Sequence, residues 1–442
     1  MRICTNGSVS AKASSPACDT RESRRGDAGG CASDRSTPLT WFRDMVPHCL
    51  EYARTAKEQG HPIVCIMCEF TPRELIMAAG AVPVCMCGGS AETIPAAERD
   101  LPANLCPLIK STYGYHVLRT NPFLEMADLV VAETTCDGKK KMYELMAQSR
   151  PMYVLELPHN PDSIEALGFW EQQIRRFKRE LERRFEVCIT DDLLRKAIAV
   201  MNRERRLRRA LAAAMEADGP PLTGRQLADL RSCISGIACD LRQYEQVLQW
   251  LGPRRENGLT DRVRVLLTGV PIAHGAERVL DIVEGCGGLV VSMENCTGIK
   301  PILDDVDEHA ADPLAALAQK YFHIPCAVMS RNDRRVEALR RLVGRYRPQC
   351  VIDLVWQACL TYDVESARIR RLAEEEFGLP YLQIETDYSP SDSARIGMRI
   401  EALFETARAR AGGSTTEFSR RGDNLACGGP SPRQSVYDGG GT

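Results

Sequence analysis

Strand-length apolar runs recur eight times in this chain, in two groups of four, and they constrain its fold more than any other feature. The first group is "HPIVCIMCEF", "AVPVCMCGG", "DLVVAETT" and "PMYVLELPH". The second starts at residue 262 with "RVRVLLTGVPI" and continues through "GGLVVSMEN", "CVIDLVWQAC" and "YLQIETDY". Helical patterns separate the runs. Strands without polar alternation are buried on both faces, and strands alternating with helices form parallel, helix-covered sheets. The expected fold is therefore α/β, with two doubly wound parallel-sheet domains of the Rossmann-like or flavodoxin-like kind.

Between the groups, "FWEQQIRRFKRELERRF" and "DDLLRKAIAVMNRERRLRRALAAAMEA" are long, charged and amphipathic. They predict a helical insert whose arginines either face solvent or offer a partner a docking surface. The expected boundaries are a tail at 1–37, an α/β domain at 38–160, a helical segment at 161–258, a second α/β domain at 259–411 and a tail at 412–442. A helix is expected near 39–59. In "TPREL", Thr71 as N-cap, Pro72 at the first helical position and Glu74 three residues after the cap form a capping box.

A net charge of −2 gives no global field to attract nucleic acid or an anionic membrane. No apolar run reaches the ~18 residues of a membrane span, and the N-terminus lacks the apolar core of a signal peptide. The expectation is a cytoplasmic protein with no nucleic-acid or membrane partner.

Nineteen cysteines in a chain too long to need staples point to metal ligation, catalysis or burial. Cys4, Cys18, Cys31 and Cys427 lie in the tails and are poor candidates. Cys68, Cys136, Cys296 and Cys359 fall at or just beyond the carboxyl ends of predicted strands, where open α/β sheets bind ligands. Helix N-termini there should lower a thiol's pKa. Cys106 and Cys326 sit in loops beside Pro107 and Pro325. The separations 106 to 136 and 296 to 326 are equal, which hints that each half contributes similarly. Cys49, Cys188, Cys233, Cys239, Cys286 and Cys350 read as core or surface thiols. Zinc sites favour paired CxxC knuckles, and Cys65–Cys68 is the one such pair. Dispersed single cysteines fit an iron–sulfur cluster better, with inert thiols and zinc left as alternatives.

The segments "CEFTPRELIMAAGAVPVCMCGG", "LCPLIKSTYG", "TTCDGKKKMYE", "ENCTGIKP" and "LVWQACLTYDVES…YLQIETDYSPSDSARIGMRIEALFE" together resemble the 2-hydroxyacyl-CoA dehydratase and benzoyl-CoA reductase superfamily, and most closely its double-cubane-cluster proteins. The resemblance runs from about 40 to 408. It implies a 4Fe-4S cubane on Cys106, Cys136 and Cys359. In the double-cubane branch it implies an 8Fe-9S cluster, which needs three further thiolates. Cys68, Cys296 and Cys326 are the choice, and Cys65, Cys85 and Cys87 compete with them. It further implies a homodimeric reductase of anaerobic metabolism acting on a small-molecule substrate. Its electrons would come from a separate homodimeric iron–sulfur ATPase activator. This chain has no Walker A sequence of its own.

Glu69, Lys110, Glu294 and Gln357 are the candidates for proton supply or substrate orientation, each near a chosen cysteine. Asp137 is expected to cap its helix, and Lys139, Lys140 and Lys141 to be mostly solvated, with one of them free to offset cluster charge. The rival readings are a single-cubane 2-hydroxyacyl-CoA dehydratase subunit, a non-catalytic electron carrier, and an α/β binding protein.

Overall fold

The computed structural model describes residues 37–252 and 259–417, with side chains up to 410. The two expected tails, with Cys4, Cys18, Cys31 and Cys427, lie almost wholly outside the described residues.

All eight apolar runs form strands: β1 (Ile63–Ile66), β2 (Val82–Cys85), β3 (Leu129–Glu133), β4 (Met152–Leu155), β5 (Val263–Gly269), β6 (Gly288–Glu294), β7 (Cys350–Trp356) and β8 (Tyr381–Thr386). They build two parallel four-stranded sheets, ordered β2-β1-β3-β4 and β6-β5-β7-β8. Both orders are flavodoxin-like, and each reverses between its first and third strands. β3, β6 and β7 are buried at every position, as strands covered by helices on both faces must be. Buried residues of both sheets belong to one contiguous apolar core that runs from Met45 to Ala407.

Within β5, Gly269 has φ +112, and a Cβ there would lie 2.0 Å from the Leu354 carbonyl oxygen. Only glycine lets β5 and β7 stay this close as they approach their carboxyl ends.

The helical insert comprises Ile164–Phe185, Asp191–Ala213, Gly224–Asp229 and Ala238–Leu251. Along Asp191–Ala213 Arg203 and Arg206 stay exposed, as a solvated face predicts, while the other four arginines turn inward. Arg195 donates to the carbonyls of Glu308 and Ala310, Arg208 to Thr297, and Arg209 to Ile302 and the Asp305 carboxylate. Arg205 is buried against Glu74 at 2.6 Å, and Tyr321 donates to the same carboxylate at 2.8 Å. The insert thus ties the first half to the second.

Two local expectations fail. The helix near 39–59 is two helices, Leu39–Arg43 and Met45–Glu58, broken at Asp44. The capping box does not form: the helix Arg73–Ala78 starts behind Pro72 with no side-chain cap. Thr71 donates its hydroxyl to Glu133 instead, and Glu74 is taken by Arg205 and Tyr321. Fully buried partners outcompete a local bond worth about 1 kcal/mol.

Candidate functional site

The carboxyl ends of both sheets face the same region, and the six chosen cysteines meet there as two trios. In the first trio Cys106 and Cys359 are within hydrogen-bonding reach of one another, and Cys136 is near enough to both to interact electrostatically. In the second, Cys296 interacts with Cys326 and Cys68. Each trio takes two cysteines from one half and one from the other. The site therefore lies between the halves, and neither sheet could build it alone.

The first trio answers why a thiol sits where a strand yields to a helix. Cys106, Cys136 and Cys359 are the N-cap residues of Pro107–Leu118, Asp137–Met146 and Leu360–Arg371. Their sulfurs lie close enough to first-turn amides, those of Leu108 and Ile109, of Lys139 and Gly138, and of Tyr362, to favour the thiolate. Three helix N-termini thus converge on one place, which suits an anionic group. Ala358, at φ +57, makes the turn that delivers Cys359 to its cap, a conformation that costs an alanine about 1 kcal/mol.

The second trio is held by side chains. The Asn295 carboxamide accepts from the amides of Thr297 and Gly298 at 3.1 and 2.9 Å, folding the turn around Cys296. Asn332 donates to the Cys326 carbonyl at 2.8 Å. The Tyr362 hydroxyl lies 3.8 Å from the Cys326 sulfur.

Helix N-termini do not win at most of these sulfurs. Burial pushes the Cys68, Cys136 and Cys296 thiols up, and Cys359 is raised first by its bond with Cys106 and then by burial. Within that pair Cys106 is the lowered member, because Cys359 donates to it. Several thiols that resist ionisation together need a cation to become thiolates, and a bound metal supplies one.

Charge at the site is set by two lysines, Lys139 half-buried and Lys300 buried. Lys139 donates to the Met67 carbonyl at 3.2 Å and interacts with Cys68, Cys87 and Cys136, so it borders both trios. Lys140 and Lys141 remain exposed. Lys300 is buried beside Cys296 and Cys326, hydrogen-bonded to the Tyr362 hydroxyl at 3.0 Å and ion-paired with Glu294 at 3.2 Å.

The four candidate polar residues have unlike placements. Glu69 faces the site, ion-paired at 2.7 Å with Arg73, which also reaches the Cys85 sulfur at 3.3 Å. A cavity of about 50 Å³ opens among Cys68, Glu69, Arg73, Cys87, Lys139 and Cys296. Lys110 is turned to Glu98 and the Ala103 carbonyl, at 2.8 and 2.7 Å. Glu294 is fully buried; burial opposes its ionisation, but Arg335 and Lys300 outweigh burial and hold its carboxyl below the usual range. Gln357 is exposed at the end of β7. Asp137 is exposed at the first helical position, paired with Lys140, and Cys136 occupies the N-cap position without a side-chain cap bond.

Of the competing thiols, Cys65 is enclosed in β1 and donates to the Phe123 carbonyl at 3.6 Å, away from both trios. Cys87 lines the cavity. Sequence reasoning missed Arg335, Lys300 and Tyr362. Tyr362 carried a signal, since it follows Cys359 by three residues and so lies one helical turn on; Arg335 carried none.

The donor set fits an iron–sulfur cluster better than a single ion. A cluster spreads its thiolates over separate irons.

Glu133, at the end of β3, has its carboxyl pushed up to about 8, first by burial and against the Thr71 hydroxyl that bonds it. It folds protonated, so its contribution to stability is full below its unfolded pKa and is lost as pH rises through 8. Glu133→Gln is therefore expected to raise the thermal midpoint at pH 8.5 and leave it nearly unchanged at pH 4. Equal shifts at both values would contradict this.

The family model of the 2-hydroxyglutaryl-CoA dehydratase D-component matches residues 68–407. The Escherichia coli (strain K12) protein named "Putative dehydratase subunit YjiM" is 42% identical over 359 residues, 79% of this chain and 92% of that protein. The (R)-phenyllactyl-CoA dehydratase beta subunit of Clostridium sporogenes is 22% identical over 83% of this chain and 97% of its own length. One of the benzoyl-CoA reductase subunits of Thauera aromatica is 21% identical over 64% of this chain and 75% of its own length. No helix among the described residues is long and apolar enough to cross a membrane.

Proposed function

This chain belongs to the 2-hydroxyglutaryl-CoA dehydratase D-component family, and on that premise we propose that it is a low-potential reductase component holding an 8Fe-9S double cubane on Cys68, Cys106, Cys136, Cys296, Cys326 and Cys359. Membership makes it a component of a 2-hydroxyacyl-CoA dehydratase-like system. The observation that carries the finer reading is the second trio, because a single cubane would leave Cys68, Cys296 and Cys326 with nothing to hold.

The cluster, when bound, supplies strongly reducing electrons in more than one equivalent. The chain's own residues do the rest. The three N-cap cysteines present sulfur to converging helix N-termini, and half-buried Lys139 and buried Lys300 offset negative charge. Glu69, steadied by Arg73, is the carboxylate placed at the cavity to hold or pass a proton. The small cavity suits a substrate of a few heavy atoms. In this reading the chain works as a cytoplasmic homodimer, with electrons from a separate homodimeric iron–sulfur ATPase.

The names of the relatives favour a second reading, a dehydratase subunit with one 4Fe-4S cubane on Cys106, Cys136 and Cys359. Net electron consumption separates the two. Dehydration is redox-neutral, whereas reduction consumes electrons in proportion to product. Anaerobic turnover with ATP and the ATPase donor is expected to consume reductant stoichiometrically. Catalytic conversion of a 2-hydroxyacyl-CoA to its enoyl-CoA without net reductant would overturn the reductase reading.

A further inference from the structure

We infer that Tyr362 is a positioning residue that raises the reduction potential of the metal centre by donating its hydroxyl proton to the Cys326 sulfur. The inference rests on the cluster reading above. Tyr362 is buried, and its oxygen has two neighbours, Lys300 Nζ at 3.0 Å and Cys326 Sγ at 3.8 Å. An ammonium has only protons to give, so Lys300 donates to the phenol oxygen. The phenol proton is then free, and a metal-bound thiolate can only accept it.

The surroundings strengthen this donor. Lys300 lies 5.2 Å and Arg335 5.1 Å from the ring centre, so two cations draw electron density from the phenol. Both cations are fixed. Glu294 is ion-paired with Lys300 at 3.2 Å and Arg335 at 3.0 Å and accepts from the Thr268 hydroxyl at 2.6 Å. Glu365 binds Arg335 from the other side and accepts from Asn332, which also holds the Cys326 backbone. One connected network therefore sets both the hydroxyl and the sulfur. A hydrogen bond to ligating sulfur withdraws charge from the centre, which favours its reduced form. No other sulfur of the six has a tyrosine hydroxyl bonded to it among the described residues.

The test is Tyr362→Phe, read by iron content and by an anaerobic redox titration followed by electron paramagnetic resonance. The expected result is wild-type iron with a more negative midpoint potential. Replacing Tyr362 by 3-fluorotyrosine keeps the shape, strengthens the donor and should move the midpoint the other way, which serves if the phenylalanine variant fails to fold. An unchanged midpoint at full iron in both variants would overturn the inference alone. Loss of iron from Tyr362→Phe would also overturn it, making the hydroxyl a requirement for assembly. Iron-free wild type would overturn the inference and the cluster reading together.

Discussion

Cys136→Ala is expected to remove about half of the iron and lower donor-driven reduction by at least ~100-fold, since even outer-shell changes at metal sites cost about 10- to 100-fold. Cys136 is one of three thiols at helix N-cap positions, and alanine cannot ligate. Alanine keeps the fold intact, because Val130, Val131, Met142 and Met146, all buried, carry most of the packing of β3 and its helix. Cys65→Ala and Cys350→Ala are the controls. Both sulfurs are buried within strands, Cys350 with its thiol pushed up to about 12 by burial alone. These variants should lose about 1 kcal/mol of stability and no iron. Iron that falls equally in all three would mean that the cysteines act through the fold and not as ligands.

Arg335→Met is expected to destabilise the protein by about 3–5 kcal/mol, the usual result of removing one member of a buried ion-pair network. Arg335 is 1% exposed and bonds Glu294, Glu365 and Thr268. Methionine fills much of the volume but leaves Lys300 as the one cation paired with Glu294 among the described residues. Adding Glu294→Gln should return part of the loss, because the uncompensated charge rather than the missing contact dominates. The sign with pH follows from Glu294, whose carboxyl lies below the ordinary range in the fold. Its stabilisation is present above the unfolded carboxyl pKa and is lost as pH falls through the lower folded value. The wild-type advantage over Arg335→Met should therefore shrink in acid. Denaturant midpoints under anaerobic conditions at neutral and acid pH measure both effects, and a loss below about 1 kcal/mol at neutral pH would contradict the network's role.

The strands were legible because each needs only its own residues to declare itself: "LVVAE" and "GLVVSME" are apolar throughout. The placement of Cys68, Cys136, Cys296 and Cys359 just beyond strand ends was legible, because strand ends have a known place in an open α/β sheet. What escaped the sequence depends on residues far apart in the chain. Glu294 reads locally as a polar neighbour of Cys296, yet Arg335, 41 positions on, makes it a structural anion. Thr71 and Glu74 read as a capping box, and partners at 133, 205 and 321 claim them. Helix N-termini promised acidic thiols, and burial between two halves overrode that promise at Cys68, Cys136 and Cys296. The pairing of Cys359 with Cys106 crosses from one sheet to the other, so no local spacing records it.

The most direct test is anaerobic iron and acid-labile sulfide per protomer, on wild type and on Cys296→Ala. Two cooperating trios predict about eight irons in the wild type and a sharp fall in the variant, whereas about four irons, unchanged by the substitution, would contradict the double cubane and leave Cys106, Cys136 and Cys359 to hold a single one.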